Sequence, residues 1–420
     1  MSASVESFPW WTTTPFPALV LAIAVFPLAI PHLWERRWFQ ILVSSSCAIP
    51  VVAYCLANQR GAELAHAISS YGSFVLTLTA LYVTSGGIHL TGDIEATPKV
   101  NVCFLLAGSV LASIVGTTGA SMLLIRPLLR TNRQREHRAH LVPFFILAVA
   151  NAGGLLTPLG DPPLLVGYIE GVPFFWTLRL FPIWLLYVAT FAVALYIADR
   201  RAYAREPERA LAADRAEVLP LAVKGRQNIA LLLAIVPAAM LPEGWRELAM
   251  VVIAAASYFA TSRELHQEND FSFGPMSDVA IIFAGLFICL GPIEVALAQA
   301  APHLPVREGW QMFWASGLLS AVLDNAPTYT AFAALARGLS SNAHDLVAGI
   351  SPIKLAAVSA GSVVMGATTY IGNGPNLMIK AIAERGHFPM PSFVRYAIFA
   401  FVTMLPAHLI VTLALFVLDR

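Results

Sequence analysis

Apolar residues are gathered into long blocks separated by short polar stretches, and the blocks have the length of a bilayer crossing. In the first half they run over 16–34, 40–57, 71–90, 102–129, 141–168 and 174–198. In the second half they run over 228–241, 247–261, 279–297, 311–335, 350–383 and 392–418. The pattern predicts an all-α polytopic membrane protein.

The arginine-rich stretches 130–138 and 200–226 are separated by two crossings, so both can lie in the cytoplasm under the positive-inside rule. Arg36 and Arg37 belong on the same side only if block 102–129 enters and leaves by one face. Its midpoint, Gly116-Thr117-Thr118-Gly119-Ala120-Ser121, is polar and helix-poor, as the tip of a re-entrant hairpin buried at membrane depth should be. Block 311–335 reads the same way from the opposite face, with its tip at 324–328. This gives about ten transmembrane helices plus two re-entrant hairpins, with both termini on the outer side.

The halves repeat. Ser113–Ser121 aligns without a gap on Ser320–Thr328, and Gly154-Leu155-Leu156-Thr157-Pro158-Leu159-Gly160-Asp161 aligns on Gly366-Ala367-Thr368-Thr369-Tyr370-Ile371-Gly372-Asn373. Gly86-Gly87-Ile88-His89 pairs with Gly291-Pro292-Ile293-Glu294. Residues 1–210 and 211–420 are therefore two repeats. Five crossings, an odd number, invert the second copy, an arrangement in which transporters form their site at the repeat interface.

Composition narrows the class without changing this picture. The chain has 420 residues, 57% hydrophobic and 12% charged, with 26 Lys and Arg against 25 Asp and Glu. That balance gives no reason to expect nucleic acid as a partner. Cys47, Cys55, Cys103 and Cys289 show no metal-binding or disulfide spacing. Residues 1–11 carry no basic region of the kind that opens a cleaved signal peptide. Trp34, Trp38, Trp176, Trp184, Trp245 and Trp310 sit at block ends as expected of interfacial anchors.

Gly160-Asp161-Pro162-Pro163 in the middle of an apolar block predicts a helix broken near 157–163, because proline removes a backbone donor and glycine the bias toward helix. Its counterpart breaks near 369–376. Unwound carbonyls attract cations, and the N-terminus of the trailing half-helix favours an anion or carboxylate. Asp161 and Asn373 occupy those N-termini, and Asp324 sits at the second hairpin tip. A carboxylate at membrane depth costs about 3 kcal/mol even on insertion scales, so it marks a functional site. It can also cap its helix, and the two roles are compatible. The candidate ion or substrate ligands are Asp161, Asp324, Asn325, Thr117, Thr118, Ser121, Asn151, Thr157, Gly160, Thr328, Thr369, Gly372, Asn373 and Asn376. Among them Asp161, Asp324 and Asn373 are the expected sodium ligands, an oxygen-rich set suited to a hard cation. No nucleophile–base pair or phosphate loop appears, so neither an enzyme nor a cofactor beyond transported sodium and protons is expected. His89, His408, Lys380 and Arg126 read as bundle or snorkelling contacts, and Glu294 as a secondary proton-relay candidate.

At these residues the chain resembles the ion transporter superfamily. Asn151-Ala152-Gly153-Gly154 with Thr157-Pro158-Leu159-Gly160-Asp161, and Ser320-Ala321-Val322-Leu323-Asp324-Asn325-Ala326-Pro327, look like the broken helix and hairpin of its ArsB/NhaD-type sodium/proton antiporters. Thr117–Ser121, Leu159–Pro163, Leu323–Tyr329 and Tyr370–Asn376 are similar to bacterial proteins of the sodium/proton antiporter or citrate-transporter (CitMHS-like) kind. The resemblance implies a homodimer in the bacterial inner membrane and an elevator-type mechanism. By position, its scaffold is 16–91 and 227–297 and its moving unit 102–198 and 311–418. The superfamily's dicarboxylate symporters carry Ser-Asn-Thr at both hairpin tips, and this chain does not. Sodium/proton antiport is accordingly the first expectation, and symport of citrate or another carboxylate, free or as a metal complex, the alternative. A channel is a third class, disfavoured because two hairpins closing one site from opposite faces suit alternating access.

Overall fold

Proline and glycine decide where the apolar blocks divide into helices. The computed structural model describes residues 8–340 and 345–418. Its helices begin with α1 (Pro15–Ala29), α2 (Pro31–Trp34), α3 (Arg37–Ala57), α4 (Gly61–Gly86), α5 (Pro98–Val115) and α6 (Thr117–Thr131). Next come α7 (Leu141–Ala148), α8 (Pro162–Ile169), α9 (Phe181–Tyr203), α10 (Glu208–Ala216), α11 (Arg226–Ala239), α12 (Trp245–Ala260) and α13 (Arg263–Glu268). The last are α14 (Gly274–Ala300), α15 (Gly309–Ser320), α16 (Asn325–Gly338), α17 (Pro352–Met365), α18 (Gly374–Arg385) and α19 (Phe393–Leu418). Among the described residues, seven helical stretches are long and apolar enough to cross a bilayer, and the chain is an all-α, multi-pass membrane protein.

Each apolar block becomes one helix or one broken pair, with one departure. Block 71–90 is a helix that starts ten residues earlier, at Gly61, and stops at Gly86. Its last residues belong instead to strand β1 (His89–Asp93), antiparallel to β2 (Leu219–Lys224), with His89 opposite Lys224. The region 199–226 holds the short α10 and then β2.

Helices α5 and α6 are joined by Gly116 alone, at φ +83°, a conformation open to glycine and costly for other residues. They fold back on one another, so that a Cβ on Gly108 would lie 3.1 Å from Leu124. At the far ends Asn101 and Asn132 exchange amide hydrogen bonds of 3.0 and 2.7 Å, so the chain returns to the level at which it began. The expected helix-poor tip over 116–121 is corrected to one residue: Thr117 to Ser121 already form the first turn of α6. Likewise the second turn lies at Ala321–Asp324, and 325–328 open α16. Gly338, at the end of α16, lies against the backbone of Ala298 near the end of α14, where the chain approaches α15.

The arginine-rich stretches meet at one end of the bundle. Arg135, with a side chain 0% exposed, pairs with Asp199 at 2.6 Å and with Glu206 at 3.3 Å, both equally buried. His140 also contacts Asp199, at 3.0 Å, and Asn101 donates to it at 2.8 Å. This one cluster therefore ties the ends of α5, α6, α7 and α9. Arg126 donates to Asn269 O, Arg130 to Leu90 O, and Arg37 lies beside Gly274, placing all three arginine groups at the same end. Two of the expected interfacial tryptophans are elsewhere: Trp176 and Trp184 are buried in the core.

Removing Arg135 leaves two buried carboxylates without a counter-charge, a loss of about 3–5 kcal/mol. Arg135→Ala is expected to lower the unfolding temperature in detergent sharply, whereas Arg133→Ala, on an exposed pair, leaves it nearly unchanged. Burial pushes the Glu206 carboxyl up, but the N–H groups of Glu136 and His137, both at 2.9 Å, together with Arg135, outweigh it and hold Glu206 below its ordinary value. Its stabilisation is therefore complete above the ordinary value of 4.5 and lost as pH falls through the lower folded value. Thermal melts across that acid range should show the loss, and Glu206→Gln should flatten it.

Candidate functional site

Two helix breaks and two tight turns bring polar groups from remote parts of the chain to one level. In the first break a 3-10 turn at Ala152–Leu156 gives way to extended backbone at Thr157, and α8 starts at Pro162 with Asp161 as its N-cap. In the second, a turn at Gly366–Thr368 leads to Thr369, and α18 starts at Gly374 with Asn373 as N-cap. Their backbones follow the same course. Thr157 has φ −137°, ψ 158° and Thr369 φ −131°, ψ 167°; Asp161 has φ −149°, ψ 145° and Asn373 φ −154°, ψ 135°. In both, the carbonyl of the earlier glycine, Gly154 or Gly366, faces the later one, Gly160 or Gly372, closely enough to exclude a Cβ.

Asp161 is 2% exposed, and its carboxylate makes no capping bond to its own helix. It accepts instead from the Thr117 hydroxyl, at 2.7 Å to Oδ1, and from the Asn325 amide on Oδ2. The first residue of each turn-following helix is thus clamped on one carboxylate. Backbone reinforces the clamp, since Thr117 N–H donates to Gly160 O at 2.8 Å. No Lys, Arg or His pairs with Asp161 among the described residues. Asn325 is fully buried, and its Oδ1 has no hydrogen-bond partner, nor has the buried Ser121 Oγ one turn beyond Thr117.

The amides form a second layer. Asn151 donates to Asn376 Oδ1 at 2.8 Å and accepts from Asn373 at 3.1 Å, while Asn376 donates to Gly366 O and Thr369 O, each at 3.0 Å. Asn151, Asn373 and Asn376 therefore lace the two breaks together. Thr157 and Thr369 spend their hydroxyls on Ser113 O and Ala321 O, latching each break to a neighbouring turn. Thr328 donates to Asp324 O at 3.0 Å and closes the start of α16. Asp324 does act as a cap, accepting from Ala326 N at 3.2 Å, and it is only partly buried.

Asp324 borders a cavity of about 250 Å³ that also touches Thr117, Thr118, Gly160, Asn325 and Asn373. Four helix N-termini, those of α6, α8, α16 and α18, open onto it. The opposite wall is apolar and comes from α4 and α14, through Leu78, Leu81, Tyr82, Met276, Val279 and Phe283. These wall residues have no polar signal in the sequence; only their pairing across two distant helices, as in the Phe74–Phe283 stack at 4.7 Å, shows where they face. The cavity lies toward the arginine-rich end, since α4 ends and α14 begins there.

Of the other polar groups, His89 meets Asn269 at 2.6 Å, His408 meets Tyr187 at 2.6 Å and Lys380 pairs with Glu384 at 2.6 Å, all away from the cavity.

No curated protein matches the chain. A family model described as "Putative citrate transport" (CitMHS_2) matches residues 5–416, a span that includes both helix breaks, both turns and every group around the cavity. The chain is a member of this citrate-transport family.

Proposed function

We propose that the protein is a secondary active transporter of the bacterial inner membrane in which Asp161 and Asp324 hold either sodium or a proton, exchanging one for the other by alternating access. The observation that carries this reading is the Asp161 carboxylate, buried without a cationic partner beside the orphaned carbonyl of Asn325. A buried charge must be paired, coordinated or neutralised. Here a proton or a hard cation is the partner that the oxygen-rich surroundings favour. Rotating the Asn325 amide exchanges a donor for a ligand: Nδ2 serves the carboxylate, and Oδ1 serves a cation. The remaining sodium ligands come from Asp324 and from the unwound backbone, with Thr118, Ser121 and Asn373 within the same group of elements. Because one site cannot hold both ions, movement of either drives the other.

The architecture supporting this cycle is two inverted repeats, 1–210 and 211–420, supported by the matched backbone of the two breaks. The α5–α6 and α15–α16 pairs act as re-entrant hairpins from opposite faces. The arginine-rich end is cytoplasmic and the termini are periplasmic, though residues 1–7 and 419–420 lie outside the described residues. Scaffold segments 16–91 and 227–297 contribute the cavity's apolar wall, against which 102–198 and 311–418 slide as an elevator. The site is then open to the cytoplasm. The homodimer rests on family resemblance alone.

A second reading is symport of citrate or a related carboxylate. It is favoured by the family and by the four helix N-termini converging on the cavity, each a partial positive charge of about half a unit. A cation at Asp161 would then offset the repulsion between substrate and fixed carboxylates.

Proteoliposomes carrying the purified chain distinguish the two. Under sodium/proton exchange, an imposed sodium gradient moves protons with no carboxylate present, and Asp161→Asn abolishes the movement. Sodium-dependent uptake of radiolabelled citrate without that proton movement would replace exchange by symport. Unimpaired exchange in Asp161→Asn would remove the site assignment. Gly160→Ala forces a methyl against the Gly154 carbonyl and should abolish transport in either case, with a stability loss of about 1–3 kcal/mol read from thermal melts.

A further inference from the structure

A second group of ionisable residues lies on the other side of the bundle, away from the arginine-rich end. Glu294 projects from the long α14, seven residues beyond its middle and so roughly 10 Å along the axis toward that side. It shares a water-sized cavity of about 10 Å³ with Glu170 from the end of α8 and with Tyr329 and Arg337 from α16. The bridge at Val347–Ile350 closes the cavity with aliphatic side chains and backbone, and Arg337 Nε donates to Ala348 O there at 3.2 Å.

Charge counting shows that this group is incomplete. Two carboxylates face one guanidinium, and Tyr329 is neutral. On the side of α4, His66 stands 3.8 Å from Glu170 and is itself largely exposed. That histidine is a counter-charge only when protonated, and α1, packed on another face of α14, carries no titratable side chain. One carboxylate is therefore in surplus, and Glu294 is the one carried within a long apolar helix, where an unpaired charge is expensive.

The position matters because three elements meet there. Between this cavity and the one at Asp324 lies a narrow, largely apolar gap lined by Phe16, Leu286, Phe287, Leu290 and Pro327, which shares Thr330 with the first and Phe283 with the second. On the elevator reading proposed above, opening the site to the far side slides α8 and α16 along α14, which would widen that gap and bring water to Glu294.

We propose that Glu294 is a second proton-binding site, placed in the seam between α14 and the α8–α16 pair, and that it gains or loses its proton as that seam opens. In the closed seam the proton removes the surplus charge. In the open seam water solvates the carboxylate and the proton leaves to the outer side. This site is separate from the Asp161 site and does not need sodium exchange to be the transported reaction.

Dicyclohexylcarbodiimide, which adds to protonated carboxyls in apolar surroundings, tests the site on the full-length chain in proteoliposomes. The adduct is located by peptide mass, which separates Glu294 from Asp161 and Asp324. Labelling at Glu294 is expected to fall as pH rises, roughly tenfold per unit beyond its midpoint, and to persist in Asp161→Asn. Absence of adduct at Glu294 while another carboxyl labels, or labelling independent of pH, overturns the proposal. Glu294→Gln keeps the side chain's shape and should flatten the dependence of transport on pH at the outer side; a profile superimposable on that of the unaltered protein would overturn the link to seam opening. Because labelling persists without Asp161, failure of the exchange reading and failure of this one are separate results.

Discussion

The constraint on which the rest of this structure depends is that a carboxylate has been placed inside a protein that is itself inside a membrane, without a basic residue among the described ones to meet it. Water cannot solvate Asp161, and a fixed lysine or arginine would pair with it permanently. What surrounds it is a set of groups whose demands are adjustable: a hydroxyl from Thr117, an amide from Asn325 and backbone carbonyls freed by the helix break. Holding such groups in place takes rigid neighbours. The glycines allow the two strands of each break to touch, and the Asn151–Asn373–Asn376 lattice fixes one break to the other. Some backbone carbonyls of the irregular chain are met inside the protein, Gly160 O by Thr117 N–H and Gly366 O and Thr369 O by the Asn376 amide.

Contrast with the Arg135 cluster makes the point sharper. There two carboxylates, Asp199 and Glu206, are as deeply buried as Asp161, but a guanidinium lies between them. One guanidinium bonds both carboxylates directly, and the result ties four helix ends together. Carboxylates that share a guanidinium thus make a fastener at one level, and on the proposed reading a carboxylate without one makes an exchangeable site at another.

How much of this was legible in the sequence depends on how local the cause was. The helix breaks were legible because Gly160, Pro162 and Pro163 act on their own turn, and Asn373 followed by alignment. The turns were placed a few residues late, because Gly116 reverses the chain alone and threonine and serine tolerate a first helical turn. Strands β1 and β2 were invisible, since their pairing joins residues more than a hundred positions apart and Leu219–Lys224 has no strand-like pattern of its own. The apolar cavity wall was equally silent: Leu81 and Phe283 look like any lipid-facing residues until the fold turns them inward. Trp176 and Trp184 failed in the opposite direction, having the sequence position of interfacial anchors and the burial of core residues.

The two acidic residues at the site also differ in how free they are, and that sets an order of events on the proposed reading. Asp324 borders the cavity, is partly exposed, and already spends one oxygen on Ala326 N–H. Asp161 lies behind Thr117 and Asn325, out of contact with the cavity and uncommitted to its own helix. An arriving cation therefore meets Asp324 while it still keeps part of its water, and reaches Asp161 only by displacing the Asn325 amide from the carboxylate. Since Asn325 is the first residue of α16 and Thr117 the first of α6, ligand exchange at Asp161 acts directly on the tips of both helix pairs. On the proposed reading, that coupling of one carboxylate to two turn-following helices lets occupancy of the site be felt by the elements that move.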